Sequence, residues 1–272
     1  MKFSRKDLSV DNPSRSLATV ITVNRLPFLL PELTFPFINR TTYADEKPVI
    51  RYWHIKSRTL YMNFMLAATG NLDKVELSNT DAEGKPIPFP NTPEWQQLAP
   101  KTKSAWNTIP TLTDKATGTH IGESGAIARW LIKRFSLAPD DLKLYASMEQ
   151  SIEKCSDLHA IIEAAHIAGY MPPDYDRTGA MDAMFGDKSS KLHKLLAGLE
   201  STFEGSPFVG SAPTPGDYML AAGLFFCVHL QQDSLDDYPK CKALQDHVVN
   251  LPPVKAFIES VEGTFFKRES GN

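Results

Sequence analysis

Between Asn107 and Phe135 the chain reads NTIPTLTDKATGTHIGESGAIARWLIKRF, and no other stretch constrains its fold as tightly. Ile109-Pro110 leads into a short alternating run, Thr111-Leu112-Thr113. A polar turn from Asp114 to Gly118 then returns the chain through Thr119-His120-Ile121. Two short runs joined by a Gly-containing turn predict a β-hairpin. Glu123-Ser124 opens a helix, because Ile127, Trp130 and Leu131 fall at i, i+3, i+4, and Lys133 and Arg134 suit its C-terminal end. A proline entering a strand cannot donate to a ladder and is a candidate cis bond. With Pro110 cis, Ile109 can turn its N–H and C=O toward a peptide-like ligand that pairs as an added strand. Free N–H groups at the helix start suit a carboxylate. Together these features describe a place for a small, extended, acidic peptide. Without such a ligand the same residues make a plain hairpin and a capped helix.

Upstream, Val49-Ile50-Arg51-Tyr52-Trp53 is rich in β-branched and aromatic residues and predicts a strand. Tyr61, Phe64, Met65 and Ala68 then fall on one helical face, and Gly70 stands at a suitable C′ position. Val75-Glu76-Leu77 predicts a second strand, and a polar, proline-rich loop from Ser78 to Lys103 leads to the hairpin. The order is β-α-β, loop, β-β-α, that of a thioredoxin-like domain. From Pro139 onward the pattern is helical. Asp140-Asp141 precede a long helix, and Leu192, Leu195, Leu196, Leu199 and Phe203 form a stripe. Thr214-Pro215-Gly216-Asp217 has capping-box spacing with Pro at the first helical position. It launches Tyr218 to Leu230, apolar nearly all round and so expected at the centre of the core. Two last helices are expected near Lys240 and Pro252.

Composition sets what the chain is not. With 272 residues and a net charge of −3 it has no broad basic field for nucleic acid. Cys155, Cys227 and Cys241 are far apart and form no C-x-x-C, against a disulfide scaffold, a zinc site or a dithiol centre and in keeping with a reducing compartment. No apolar run approaches the ~20 residues of a membrane span. Residues 1–47 mix basic residues with Pro13, Pro27, Pro31 and Pro36 and read as an extended arm. Organelle targeting is the other reading of that arm, with Asp7, Asp11 and Glu32 counting against it.

The proline, hairpin, Glu-Ser, Ala-Ile and aromatic-Leu helix, in that order, resemble the glutathione-binding half of cytosolic glutathione transferases. The resemblance runs from about Pro48 to Phe266. It implies an α/β thioredoxin-like N-terminal domain followed by an all-α helical domain, the glutathione transferase architecture. The domains expected are an N-terminal extension at 1–47, a glutathione-binding domain at 48–136 and a helical domain at 140–272. The resemblance also implies glutathione as co-substrate, an apolar electrophile as second substrate, no metal, a cytoplasmic homodimer and a role in detoxification.

The resemblance gives Tyr52, at the end of the first strand, the role of donating its hydroxyl to the glutathione thiolate. A thiol of pKa near ~8.5 needs such help to ionise at neutral pH. Tyr52-Trp53-His54-Ile55-Lys56 is similar to the mu-class pattern, and Arg58 matches an arginine that sigma-class enzymes place near the thiol. Trp95, fifteen positions before Pro110, matches a glutathione-contacting Trp of the mu class. Lys101 or Lys103 is the candidate partner of the glycyl carboxylate, the loop length leaving the choice between them open. Thr108 takes the place of a family Asn or Lys, and Ile109-Pro110 that of the strand-like backbone contact. Glu123 accepts from the γ-glutamyl ammonium and Ser124 donates to its carboxylate. With Trp53 these residues make up the expected site.

Departures accompany the resemblance. Lys56-Ser57 replaces the family's Arg-Gly, and Tyr61, Met62 and Asn63 replace charged residues of the first helix. Lys154 stands where mu and sigma enzymes carry an Asp that crosses the dimer, with Asp157 a turn further on. Ser57 is a second candidate for the activating hydroxyl, ranked below Tyr52. His159, Glu163 and His166 share a helix face but carry no H-E-x-x-H signature, and are expected on a helix surface or in satisfied contacts. Thr214 and Asp217 are read as structural. The function expected is a mu/sigma-like glutathione transferase, using glutathione thiolate on an electrophile or assisting an isomerisation. The alternative is a non-catalytic relative serving as a structural, carrier or interaction protein.

Overall fold

The computed structural model describes residues 46–53, 57–90, 92–166, 176–203 and 208–261. The arm expected at 1–47, apart from its last two residues, lies outside them, as do residues 54–56. Val49-Ile50-Arg51 forms β1 (Val49–Arg51), an inner strand of a four-stranded sheet. β2 (Glu76–Ser78) runs parallel to it, with Ile50 opposite Leu77. β3 (Thr111–Asp114) runs antiparallel on the other side, with Ile50 opposite Leu112, and β4 (Thr119–Gly122) completes the hairpin. The order is β2-β1-β3-β4.

A parallel β1–β2 pair requires a crossover, and α1 (Leu60–Ala68) supplies it. Every residue from Leu60 to Ala67 is buried. That explains why Tyr61, Met62 and Asn63 stand where charges were expected: α1 packs against a helix of the second domain and has no wet face. Gly70 ends the helix at φ 67°, a left-handed conformation that favours glycine. α2 (Ser124–Arg134) follows the hairpin.

Beyond β4 all regular structure among the described residues is helical: α3 (Leu142–His166), α4 (Arg177–Gly186), α5 (Lys191–Thr202), α6 (Pro215–Leu230), α7 (Pro239–Val249) and α8 (Pro252–Val261). α6 packs against α1, α3 and α7, which makes it the centre of the core. Its capping box forms as expected. The Asp217 carboxylate accepts from the Thr214 N–H and hydroxyl, both at 2.7 Å, and from the Ser151 hydroxyl at 3.1 Å. Gly216 is needed there because a Cβ would fall 2.2 Å from the Met148 carbonyl oxygen of α3. α4 was not anticipated. Its sequence, RTGAMDAMFG, has two glycines and no clear stripe; the Asp176 side chain caps it by accepting from the Gly179 N–H at 2.8 Å. The three cysteines are free and buried.

Candidate active site

Tyr52 follows directly on β1. The Tyr52 N–H donates to the Ser78 carbonyl at 3.0 Å, which fixes the backbone as the strand ends. The Trp53 indole donates to the Pro88 carbonyl at 3.0 Å, and its ring stacks on Phe89 at 5.4 Å. From the other domain edge come the cis peptide Ile109-Pro110 and the β4–α2 junction. Glu123 caps α2 at φ 67°, ψ 115°, outside the regions that non-glycine residues populate freely. Nothing in the sequence marks that conformation.

Trp53, Arg58 and Trp95 line a cavity of about 460 Å³ together with Thr108, Ile109 and Pro110. Glu123 and Ser124 line it too, so the structure brings together most of the residues expected for glutathione. The Thr108 hydroxyl donates to Glu123 Oε1 at 3.3 Å and meets Ser104 Oγ at 2.8 Å, which fixes the loop before Ile109. The Ile109 backbone makes no main-chain hydrogen bond among the described residues. The lining therefore combines carboxylate acceptors, a hydroxyl, a guanidinium, backbone groups and two indole walls, a mixture suited to an extended zwitterionic peptide.

Three expected residues, Tyr52, Lys101 and Lys103, stand outside this lining. Lys103 donates to the Trp95 carbonyl at 2.9 Å, with its ammonium 5.1 Å from the Trp95 ring centroid, so it braces a wall of the cavity. Lys101 is exposed and likewise outside the lining. Tyr52 is 4% exposed, with its ring centroid 5.1 Å from that of Trp53. Hydrogen bonding from the Ser57 side chain and the Arg58 backbone acts on the Tyr52 phenol to lower the pKa. Burial and the nearby Glu163 carboxylate raise its pKa, against Arg58 and those hydrogen bonds, so the phenol keeps its proton.

Glu163 of α3 also lines the cavity, a site residue the sequence reading did not assign. Arg58 Nε donates to Glu163 Oε1 at 3.0 Å while Nη2 pairs with Oε2, a two-pronged bridge between the domains. His159 Nε2, one turn before, also bonds Glu163 Oε1 and lies 3.3 Å from Ser57 Oγ. Burial of Glu163 raises its carboxyl, but His159 and Arg58 outweigh it and hold the group below the ordinary carboxylate range. Burial drives the His159 imidazole below its usual value, opposed by Glu163 and reinforced by Arg58. The i, i+4 spacing of His159 and Glu163 was visible in sequence; their partner Arg58, 105 positions from Glu163, was not. The His166 side chain lies outside the described residues. No cluster of three or more metal-ligating side chains occurs among the described residues.

A family model for the glutathione S-transferase C-terminal domain matches residues 167–261. Glutathione S-transferase alpha M14 of Sus scrofa is 25% identical over 217 residues, covering 78% of this chain and 88% of that protein. The comparisons support the glutathione transferase superfamily. The solved pi-class glutathione S-transferase of Onchocerca volvulus has the same fold at a TM-score of 0.62 and 19% identity, over 80% of this chain and 94% of that one. Prostaglandin synthase D of Nilaparvata lugens superposes with a TM-score of 0.58 and 20% identity, covering 78% and 97%. These likenesses bear out the expected architecture, a thioredoxin-like domain followed by a helical glutathione transferase domain. The Sus scrofa relative is alpha-class by name, so these comparisons do not bear out the mu/sigma-like subtype expected from the residues after Tyr52.

Proposed function

We propose that this chain is a tyrosine-type glutathione transferase of mu/sigma-like character. It binds glutathione in the cavity between β1, the cis-proline loop and the start of α2, and uses the thiolate on an apolar electrophile or in an isomerisation. The observation that carries the reading is the shared lining by Trp53, Arg58, Ile109, Glu123 and Ser124. Glu123 accepts from the γ-glutamyl ammonium, Ser124 donates to its carboxylate, and Ile109 offers its free backbone groups to the cysteinyl residue. Arg58 supplies positive charge near the thiol. Tyr52, kept protonated by burial, donates to the thiolate as the thiol ionises. The protein acts as a cytoplasmic homodimer in detoxification.

Retention on immobilised glutathione, elution by free glutathione and conjugation to a generic aryl halide are the expected results. Capture without conjugation or isomerisation would instead make the chain a non-catalytic carrier or interaction protein. Failure of capture would remove glutathione from the account.

A further inference from the structure

A chain of polar groups that includes His159, a residue the sequence reading left without a function, joins the cavity wall. It runs from Tyr52 through Ser57 to His159, and from His159 through Glu163 to Arg58. His159 is buried, and its ring meets Tyr61 edge-on at 4.9 Å, so packing from α1 fixes its plane. Its Nδ1 is buried without a hydrogen-bond partner, as is the Tyr61 hydroxyl. All the polar contacts of this imidazole therefore pass through one nitrogen.

Proton positions follow from that arrangement. The Glu163 carboxylate only accepts, so His159 Nε2 carries the hydrogen and donates it. Being already protonated, Nε2 cannot accept from Ser57 Oγ. The Ser57 hydroxyl hydrogen is then left for Tyr52, on which Ser57 and the Arg58 backbone act to lower the pKa. Burial outweighs them, so Tyr52 keeps its own hydrogen for donation outward. Neutrality of His159, favoured by burial, leaves Arg58 and Glu163 as a balanced pair with one charge of each sign.

We propose that His159 is a positioning residue for thiolate activation: as a neutral Nε2–H donor it holds Glu163, and through it Arg58, at the cavity wall, and it turns the Ser57 hydroxyl toward Tyr52. The inference rests on the glutathione transferase reading. His159 itself touches neither glutathione nor the cavity. Its effect is on the ionisation of bound thiol rather than on the grip on the peptide, which belongs to Glu123, Ser124 and Ile109.

The test measures the pKa of bound glutathione from thiolate absorbance, with kcat and glutathione KM, in the full chain and in His159→Phe and His159→Gln. Phenylalanine keeps the packing against Tyr61 and removes the donor; glutamine can place an amide N–H where Nε2 stood. His159→Phe should raise the bound-thiol pKa by about one unit and lower kcat at pH 6.5 by about tenfold, since one pKa unit is a factor of ten in thiolate. KM should stay within about twofold, and His159→Gln should recover most of the loss. A folded His159→Phe with unchanged thiol pKa and kcat overturns the proposal, as does a loss confined to KM. If His159→Phe does not fold, Ser57→Ala breaks the same link by one atom, and an unchanged thiol pKa there also overturns it. Absence of glutathione binding by the unaltered protein would sink the transferase reading and this inference with it, and is seen before any variant is made.

Discussion

At the scale of single residues, the site is a set of local exceptions carried by an ordinary fold. Glu123 adopts φ 67° although it is not glycine, and His159 is a buried imidazole bonded through one nitrogen. Neither can be read from residue type, because each depends on contacts between distant segments. What was legible were residues set by local pattern: Trp53 just after a strand, Ile109 before the proline of the cis-proline loop, and Ser124 at a helix start. Glu163 was seen only as part of a weak metal pattern, since the guanidinium it holds comes from the other domain. The same residues set a pH dependence. The folded-state pKa of His159 lies below its unfolded value of 6.5, so between the two the unfolded chain holds a proton that the folded chain does not. Stability from neutral His159 is therefore lost as pH falls below about 6.5. Glu163, depressed in the folded state, adds a second loss at lower pH, as pH falls through its folded value. Comparing unfolding free energies of the unaltered protein and His159→Gln across pH 7.5 to 5.5 should show the difference moving against the unaltered protein on acidification. A difference independent of pH would mean that His159 is not held neutral.

Elements show where periodicity succeeds and where it stops. α6 was legible to the residue, because a capping box, a proline at its start and apolar residues on every face all agree. α4 was not, because its glycines and short side chains leave no stripe, and its definition comes from the Asp176 cap and packing on α3 and α5. The buried Trp95 was found by its spacing, but the short 3₁₀ turn that carries it, Pro93–Gln97, was not. The α6 cap makes a strong test of element stability. Asp217 satisfies the Thr214 N–H, the Thr214 hydroxyl and the Ser151 hydroxyl in the interior. Asp217→Ala removes the cap and orphans buried donors, which should cost about 2–4 kcal/mol by denaturant titration. A cost under about 0.5 kcal/mol would show that water replaces the carboxylate and that α6 does not depend on its cap.

For the whole molecule, the two-part architecture was the most legible feature, because strand signals end abruptly after the hairpin and helical signals begin. Assembly was not, since no sequence feature of its own announces it. The expected homodimer predicts a light-scattering mass at micromolar concentration of twice the 30.3 kDa chain. A monomer mass would contradict it. The site draws on both domains of one chain, with Arg58 just before α1 and Glu163 on α3.

The most direct test of thiolate activation by Tyr52 is the pKa of glutathione bound to the Tyr52→Phe variant. The substitution deletes one hydroxyl from a buried ring and leaves the packing in place. Losing a hydrogen bond to a charged sulfur, worth roughly 1.5–3 kcal/mol, should raise the bound-thiol pKa by about one to two units. Turnover at pH 6.5 should fall by roughly one to two orders of magnitude and recover in part at higher pH, with glutathione affinity little changed. Full activity and an unshifted thiol pKa in Tyr52→Phe, together with abolition of both in Ser57→Ala, would contradict the assignment and make Ser57 the activating hydroxyl.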